Sequence, residues 1–294
     1  MATALISAKD LKHALEGDTA PKLIDCSWTM PSSGADPRNG FAKAHIEGAI
    51  FLHIDEVADR FRPLPHMMPP PAQFAEQLGA LGIRETDDLV IYDQTGLFLA
   101  ASRGWWMFRA MGHRGKVQVL DGGLKAWQAA GYPVASGPAE QPTPASYKAT
   151  PRTEIMRDAG DVARVVQTGS EQVVDVRDRA RWLGEAEEVW EGRASGRIPG
   201  SLNLPFTDLI DMESGTLHLP ETLRAHFASA GVDLDKPVVF SCGSGVTACV
   251  AALALHRLGV EDAAVYDGSW AEWGLGGWPV AKGKPKSGER VGNG

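Results

Sequence analysis

A chain of 294 residues is long enough for two domains that each bury a core. Its 44% hydrophobic and 22% charged content places it among globular proteins, not disordered or fibrous ones. The net charge of −8, with no basic run interleaved with aromatics, argues against a nucleic-acid surface.

The first residues, Met1-Ala2-Thr3-Ala4-Leu5-Ile6, are followed at once by Lys9 and Asp10, with no basic leader or sustained apolar stretch. No later segment has membrane-spanning length, so neither export signal nor membrane anchor is expected and the predicted compartment is the cytoplasm. Leu23-Ile24-Asp25 is strand-like and ends at Cys26. Asp88-Leu89-Val90-Ile91-Tyr92 is a short apolar run of the kind that forms a buried strand, and it leads into a helical stretch. Residues 136–152, rich in Pro, Ser, Ala and Thr, read as a connection, which gives predicted domains at 1–138 and 153–294 with a linker at 139–152.

The second half repeats the punctuation of the first. Leu23-Ile24-Asp25 returns as Val173-Val174-Asp175, and Ala44-His45-Ile46-Glu47-Gly48-Ala49 as Gly196-Arg197-Ile198-Pro199-Gly200-Ser201. Asp121, Trp127 and Gly131 return as Asp267, Trp273 and Gly277, always 146 residues on. The chain is therefore a tandem duplication. Pro237-Val238-Val239-Phe240-Ser241 is a second buried strand. Residues 246–258 carry Val250, Leu253 and Leu258 on one face with Gly259 as a cap, which predicts a helix. Alternating strands and helices predict an α/β fold, two domains each with a mostly parallel sheet flanked by helices and ligands at the carboxyl ends of strands. The tail at 282–294, rich in Gly and Lys, is expected to be solvated and mobile.

Only three cysteines occur, Cys26, Cys242 and Cys249, without CxxC spacing, so neither a disulfide framework nor a zinc site is expected and a reducing compartment fits. Cys26 ends an apolar run and Cys249 lies inside an apolar helix; both are expected to be structural. Cys242 differs, because Phe240-Ser241-Cys242-Gly243-Ser244-Gly245-Val246-Thr247 reads as strand, glycine turn and helix start. Two glycines let the backbone N–H groups of such a turn converge, and the helix dipole adds positive potential, so an anion at its centre is stabilised. Turns of this kind lower a cysteine pKa from about 8.5 toward roughly 7, which supplies a nucleophile at neutral pH. A phosphatase loop would need arginine six positions after the cysteine, where this chain has Ala248, and a nucleotide P-loop would need a lysine that Val246-Thr247 does not supply.

These residues resemble the tandem rhodanese-domain sulfurtransferases over nearly the whole chain, and Cys242-Gly243-Ser244-Gly245-Val246-Thr247 is similar to the loop of the 3-mercaptopyruvate branch. The resemblance implies that the second half is catalytic and the first a degenerate copy, with Asp93 at the cysteine position. It implies a Cys242 persulfide, pyruvate as product, and a thiol or cyanide acceptor; thioredoxin or a low-molecular-weight thiol would serve. No metal or organic cofactor and no nucleic-acid or membrane partner is implied. Asp55, His66 and Ser244 are implied as a proton relay, Arg181 as the grip on the anionic donor, and Gly243, Gly245, Val246 and Thr247 as the loop that holds it.

Two departures bear on the donor. Glu188-Val189-Trp190 stands where mercaptopyruvate sulfurtransferases have a second substrate arginine, in Glu-Pro-Arg, a departure that equally fits a different or larger donor, and Gly196-Arg197-Ile198-Pro199-Gly200 stands where the usual segment has histidine. Arg193 or Arg197 is the candidate to compensate. Arg177 and Arg179 are expected to serve solvent or structural pairing. A thiosulfate:cyanide sulfurtransferase is the same-class alternative, though that branch carries a basic residue in the loop; a non-catalytic binding module is the other, and normally lacks the cysteine.

Overall fold

The duplication seen in the sequence becomes a duplication of topology in the computed structural model, which describes residues 4–30, 33–139 and 142–285. The first half runs β1 (Leu5–Ile6), α1 (Ala8–Leu15), β2 (Lys22–Asp25), α2 (Pro37–Lys43), β3 (Ile50–Phe51), α3 (Ile54–Val57), α4 (Pro71–Ala80), β4 (Leu89–Tyr92), α5 (Leu99–Ala110), β5 (Val117–Leu120) and α6 (Gly123–Ala129). The second runs β6 (Met156–Arg157), α7 (Ala159–Thr168), β7 (Gln172–Asp175), α8 (Arg179–Leu183), β8 (Leu202–Asn203), β9 (Ile210–Asp211), β10 (Thr216–Leu217), α9 (Pro220–Ser229), β11 (Val238–Ser241), α10 (Ala248–Arg257), β12 (Ala264–Tyr266) and α11 (Ser269–Trp273).

Each half builds one five-stranded sheet, in the orders β1-β5-β4-β2-β3 and β6-β12-β11-β7-β8. All pairings within both sheets are parallel. The central strands β4 and β11 are buried at every position. Helices on both faces of a parallel sheet require that, and it explains their unbroken apolar runs. Edge strands of two residues offer little exposed backbone for unwanted pairing. α10 is buried along almost all its length. It starts two residues later than the sequence predicts, because residues 242–247 are wound as a loop, and Gly259 beyond its end takes φ +92°.

The chain divides into two compact units. The first comprises Met1–Arg60, Met68–Arg152 and Ile210–Leu217; the second Phe61–Met67, Thr153–Leu209 and His218–Gly294. The division is not a single cut, as a linker at 139–152 would make it. The β9–β10 hairpin joins the first unit, where Asp121 Oδ1 accepts the Leu217 N–H at 3.0 Å. Residues 142–152 lie along the first unit: the N–H groups of Ala145, Thr150 and Arg152 donate to the carbonyls of Gly79, Met111 and Ala110 at 2.8 Å each. Tyr147 is buried there, edge-on to Phe74. A segment with satisfied backbone and a buried aromatic is a strap, not a free tether. The N-terminal residues 1–3 and the tail residues 286–294, part of the sequence reading above, lie outside the described residues. Among the described residues no helix is long and apolar enough to cross a membrane.

Candidate active site

β11 delivers Cys242 to the carboxyl end of its sheet, one residue past the pairing of Ser241 with Asp175 of β7. Residues 242–247 then turn into α10. Gly245 sits at φ +77°, where a side chain would be strained, and Gly243 leaves room for groups above the loop. α11 pins the loop from below: the Trp270 and Ala271 N–H groups donate to the carbonyls of Cys242 and Gly243 at 3.0 and 2.7 Å. Cys242 is 1% exposed and Ser244 is buried.

Ser269, absent from the sequence prediction, completes the seat. Its hydroxyl donates to the Tyr266 carbonyl at 2.8 Å, accepts the Cys242 N–H at 3.0 Å and lies 3.9 Å from Cys242 Sγ. Ser269 holds φ +48°, unusual for a residue with a side chain. The repeat carried a signal for it: the offset of 146 residues puts Ser269 opposite Gly123, which holds φ +58°.

The first unit shows how this turn holds a carboxyl group. Asp93 follows β4 as Cys242 follows β11, and its Oδ1 accepts the Thr95 and Gly96 N–H groups at 3.0 Å each and the Thr95 hydroxyl at 2.8 Å. The Ala101 N–H of α5 reaches Oδ2 at 3.4 Å. Burial raises the Asp93 pKa against these hydrogen bonds. The cradle of the first unit is thus filled by its own side chain. Ser244 and Gly245 hold the matching positions around Cys242, where the group at the centre is a thiol.

Beside the loop lies a buried ion network. Arg177 donates through Nη2 to Asp175 Oδ2 at 2.6 Å and through Nη1 to Glu188 Oε1 at 2.5 Å, and its guanidinium lies 4.3 Å over the Trp270 ring. Burial works to lower the Arg177 pKa, but Asp175, Glu188 and Cys242 outweigh it and the net shift is upward. Arg181 lies over the loop, with Nη2 3.2 Å from where a Cβ on Gly243 would be. It is not a free cation: Glu188 Oε2 accepts from its Nη2 at 2.7 Å and its Nε at 3.1 Å. Trp190 approaches the same point, its Nε1 3.6 Å from that Cβ position.

The other predicted residues fall as follows. His66 belongs to the second unit, is buried, and stands edge-on to Trp190 with ring centroids 6.0 Å apart. Asp55 belongs to the first unit, where its Oδ2 accepts the Trp28 indole N–H at 2.7 Å. Arg193 and Arg197, the candidates to replace a missing arginine, donate instead to backbone carbonyls: Arg193 to Ala271 at 2.9 Å and Arg197 to Gly283 at 2.6 Å. All three thiols are free and buried. Cys249 donates to the Gly245 carbonyl at 3.2 Å, while burial pushes the Cys26 thiol up and away from reactivity.

Comparison with known proteins decides the family. The model of the rhodanese-like domain matches twice, at residues 7–130 and 158–275. The chain belongs to the rhodanese family. It is 41% identical to human 3-mercaptopyruvate sulfurtransferase across 97% of each chain, and 41% identical to the thiosulfate sulfurtransferase of Cricetulus griseus across 92% of this chain and 91% of that one. Among solved structures it resembles SseA of Escherichia coli, a 3-mercaptopyruvate sulfurtransferase by its description, with TM-score 0.82 and 35% identity over 92% of this chain and all of that one. As rhodanese domains, the two units share one topology and one turn; the second presents a cysteine there and the first a carboxyl group.

Proposed function

We propose that this rhodanese-family enzyme moves sulfur from 3-mercaptopyruvate through a Cys242 persulfide to a thiol acceptor, with pyruvate as product. The observation that carries the reading is the cysteine at the glycine turn after β11, in a chain 41% identical to a 3-mercaptopyruvate sulfurtransferase over 97% of its length. In the first step the Cys242 thiolate attacks the donor sulfur. An S–S bond forms, the C–S bond breaks with its electron pair going to carbon, and the proton released from the donor thiol ends on that carbon as pyruvate forms. The N–H groups of residues 243–247 stabilise the terminal sulfur anion. In the second step an acceptor thiolate takes that sulfur and the Cys242 thiolate returns. Arg181 orients the donor carboxylate, and Ser244, His66 and Asp55 serve the proton transfers. Low-molecular-weight thiols or a thioredoxin-like dithiol suit the second step, and three unbridged cysteines fit action in the reducing cytoplasm.

Thiosulfate is the competing donor, favoured by the equal identity to a thiosulfate sulfurtransferase. An uncharged loop and an Arg181 already neutralised by Glu188 weigh against a dianion. Pyruvate release from 3-mercaptopyruvate with a thiol acceptor, run beside thiocyanate formation from thiosulfate and cyanide, tests both. We expect the first to be faster and Cys242→Ser to abolish both, with wild-type Cys242 gaining one sulfur by mass. Full activity in Cys242→Ser would sink the mechanism, and faster turnover of thiosulfate would replace the donor.

A further inference from the structure

Arg197 stands where the usual segment has histidine, and the reaction proposed above gives it no task. It is 1% exposed, donates to the Gly283 carbonyl at 2.6 Å and places its guanidinium 4.6 Å over the Trp182 ring. Arg179, exposed on α8, lies 5.7 Å over the same ring. Both arginines line a cleft of about 350 Å³ beyond β8, the edge strand of the second sheet. Ser201, Ser229 and Pro285 line it too, and its lining holds no Asp or Glu. Ser201 Oγ accepts the Trp182 indole N–H at 3.0 Å, which leaves its own O–H to donate. Among the described residues, the side chains of Arg179 and Ser229 have no hydrogen bond or ion pair. Asp178, next to Arg179 in the chain, turns to Arg181 instead: its Oδ1 accepts the Arg181 backbone N–H at 2.9 Å and its Oδ2 lies 3.7 Å from Nη1. Lys282 and Lys284, on either side of Gly283, add two positive charges to this corner of a protein whose net charge is −8. The cleft belongs wholly to the second unit, and none of residues 242–247 lines it.

We propose that this cleft is a binding site for a small phosphorylated molecule, separate from the loop that carries Cys242. A protein of net negative charge repels anions as a whole, so cations gathered around a hollow whose lining has no carboxylate mark a place where an anion gains. A tetrahedral phosphate takes hydrogen bonds from several directions. That suits the guanidinium fork of Arg179 with the hydroxyls of Ser201 and Ser229, which come from different elements. Arg197, fixed by Trp182 and Gly283, adds a charge to the wall that no ordinary pH removes. The volume falls among those of small-molecule clefts, which leaves room for the carbon skeleton that carries the phosphate.

The test is equilibrium binding to the full chain, read by calorimetry, with glycerol 3-phosphate, inorganic phosphate and acetate at matched ionic strength. Glycerol 3-phosphate should bind with a Kd below about 1 mM, several-fold tighter than inorganic phosphate, and acetate should show no saturable binding. Affinity should rise from about pH 5 to about pH 7, as the phosphate loses its second proton near pH 6. Arg179→Glu, at an exposed position, and Arg197→His should each weaken binding about tenfold or more. Cys242→Ser and Arg181→Ala alter the loop site and should leave the affinity within about twofold of wild type. Equal affinity for the ester and the free ion overturns the organic ligand. Binding lost in Arg181→Ala but kept in Arg179→Glu puts the anion at the loop and overturns the cleft, as does acetate that binds as tightly as the ester, or a wild-type chain that binds none of the three. A chain that transfers no sulfur would overturn the proposed function and leave this site standing, because the readout is binding and not turnover.

Discussion

Ser269 and Gly123 occupy one place in the repeat, and the difference between them is measurable. A left-handed backbone costs a residue with a side chain about 1–2 kcal/mol and glycine almost nothing. Ser269 bears that cost while its hydroxyl serves both the Cys242 N–H and the Tyr266 carbonyl. Ser269→Ala loses the hydroxyl and keeps the strain, whereas Ser269→Gly loses both. Urea unfolding should find the glycine variant more stable than the alanine variant by about 0.5–1 kcal/mol, after allowing for glycine's looser unfolded chain. Equal stabilities, or a more stable alanine variant, would show that the backbone there is unstrained. At this scale the sequence exposed Cys242, because a glycine turn between a strand and a helix is a local pattern. It did not expose the partner of Arg181, since whether an acid seven residues away points inward depends on the fold of the intervening loop. Arg193 and Arg197 show the same limit: both look available in sequence, and both are spent on carbonyls brought near by distant turns.

Strand ends carry the next contrast. Asp25 ends β2 opposite Tyr92, and Asp175 ends β7 opposite Ser241. Each carboxylate accepts the N–H two residues on, from Ser27 at 2.8 Å and from Arg177 at 3.0 Å. Only Asp175 also gains a guanidinium. Burial without such a partner raises the Asp25 pKa to about 6, with Asp93 adding repulsion and Ser27 opposing it. A carboxyl raised in the folded state keeps its proton after the unfolded chain has lost its own. The folded state therefore binds more protons between about pH 4 and pH 6, and stability falls across that window as pH rises. With about 2 pKa units at 1.36 kcal/mol each, Asp25 should contribute a loss of roughly 3 kcal/mol, complete above about pH 6. Asp25→Asn, which can still accept from Ser27, should flatten the wild-type curve in chemical denaturation between pH 4 and pH 8. Parallel curves for the two proteins would remove Asp25 from the account. The strands themselves were legible, because a fully buried strand writes a continuous apolar run. The two-residue edge strands and the β9–β10 hairpin were not, since two residues carry no period.

At the scale of the whole molecule the repeat predicts two halves joined by a linker, and the contacts give two units that exchange segments. Residues 61–67, including His66, count with the second unit, and β9 and β10 with the first. The hairpin is held there by the Leu217 N–H on Asp121 and by Lys125 Nζ on the Glu213 carbonyl at 3.5 Å, while Gly96 and Gly215 approach backbone to backbone. Nothing in a duplicated sequence marks such an exchange, because the repeat compares each half with the other and not with its neighbours in space. The strap at 142–152 adds three backbone hydrogen bonds and the buried ring of Tyr147 to the first unit. A protease site inserted after Pro138 would cut the chain ahead of that strap, leaving the first unit short of both strap and hairpin unless the second fragment supplies them. We expect the two fragments to elute together on gel filtration in buffer and to separate only in denaturant, with sulfur-transfer activity kept after the cut. Fragments that part in buffer and stay folded would mean that each half is complete alone and that the exchanged segments contribute little to either unit.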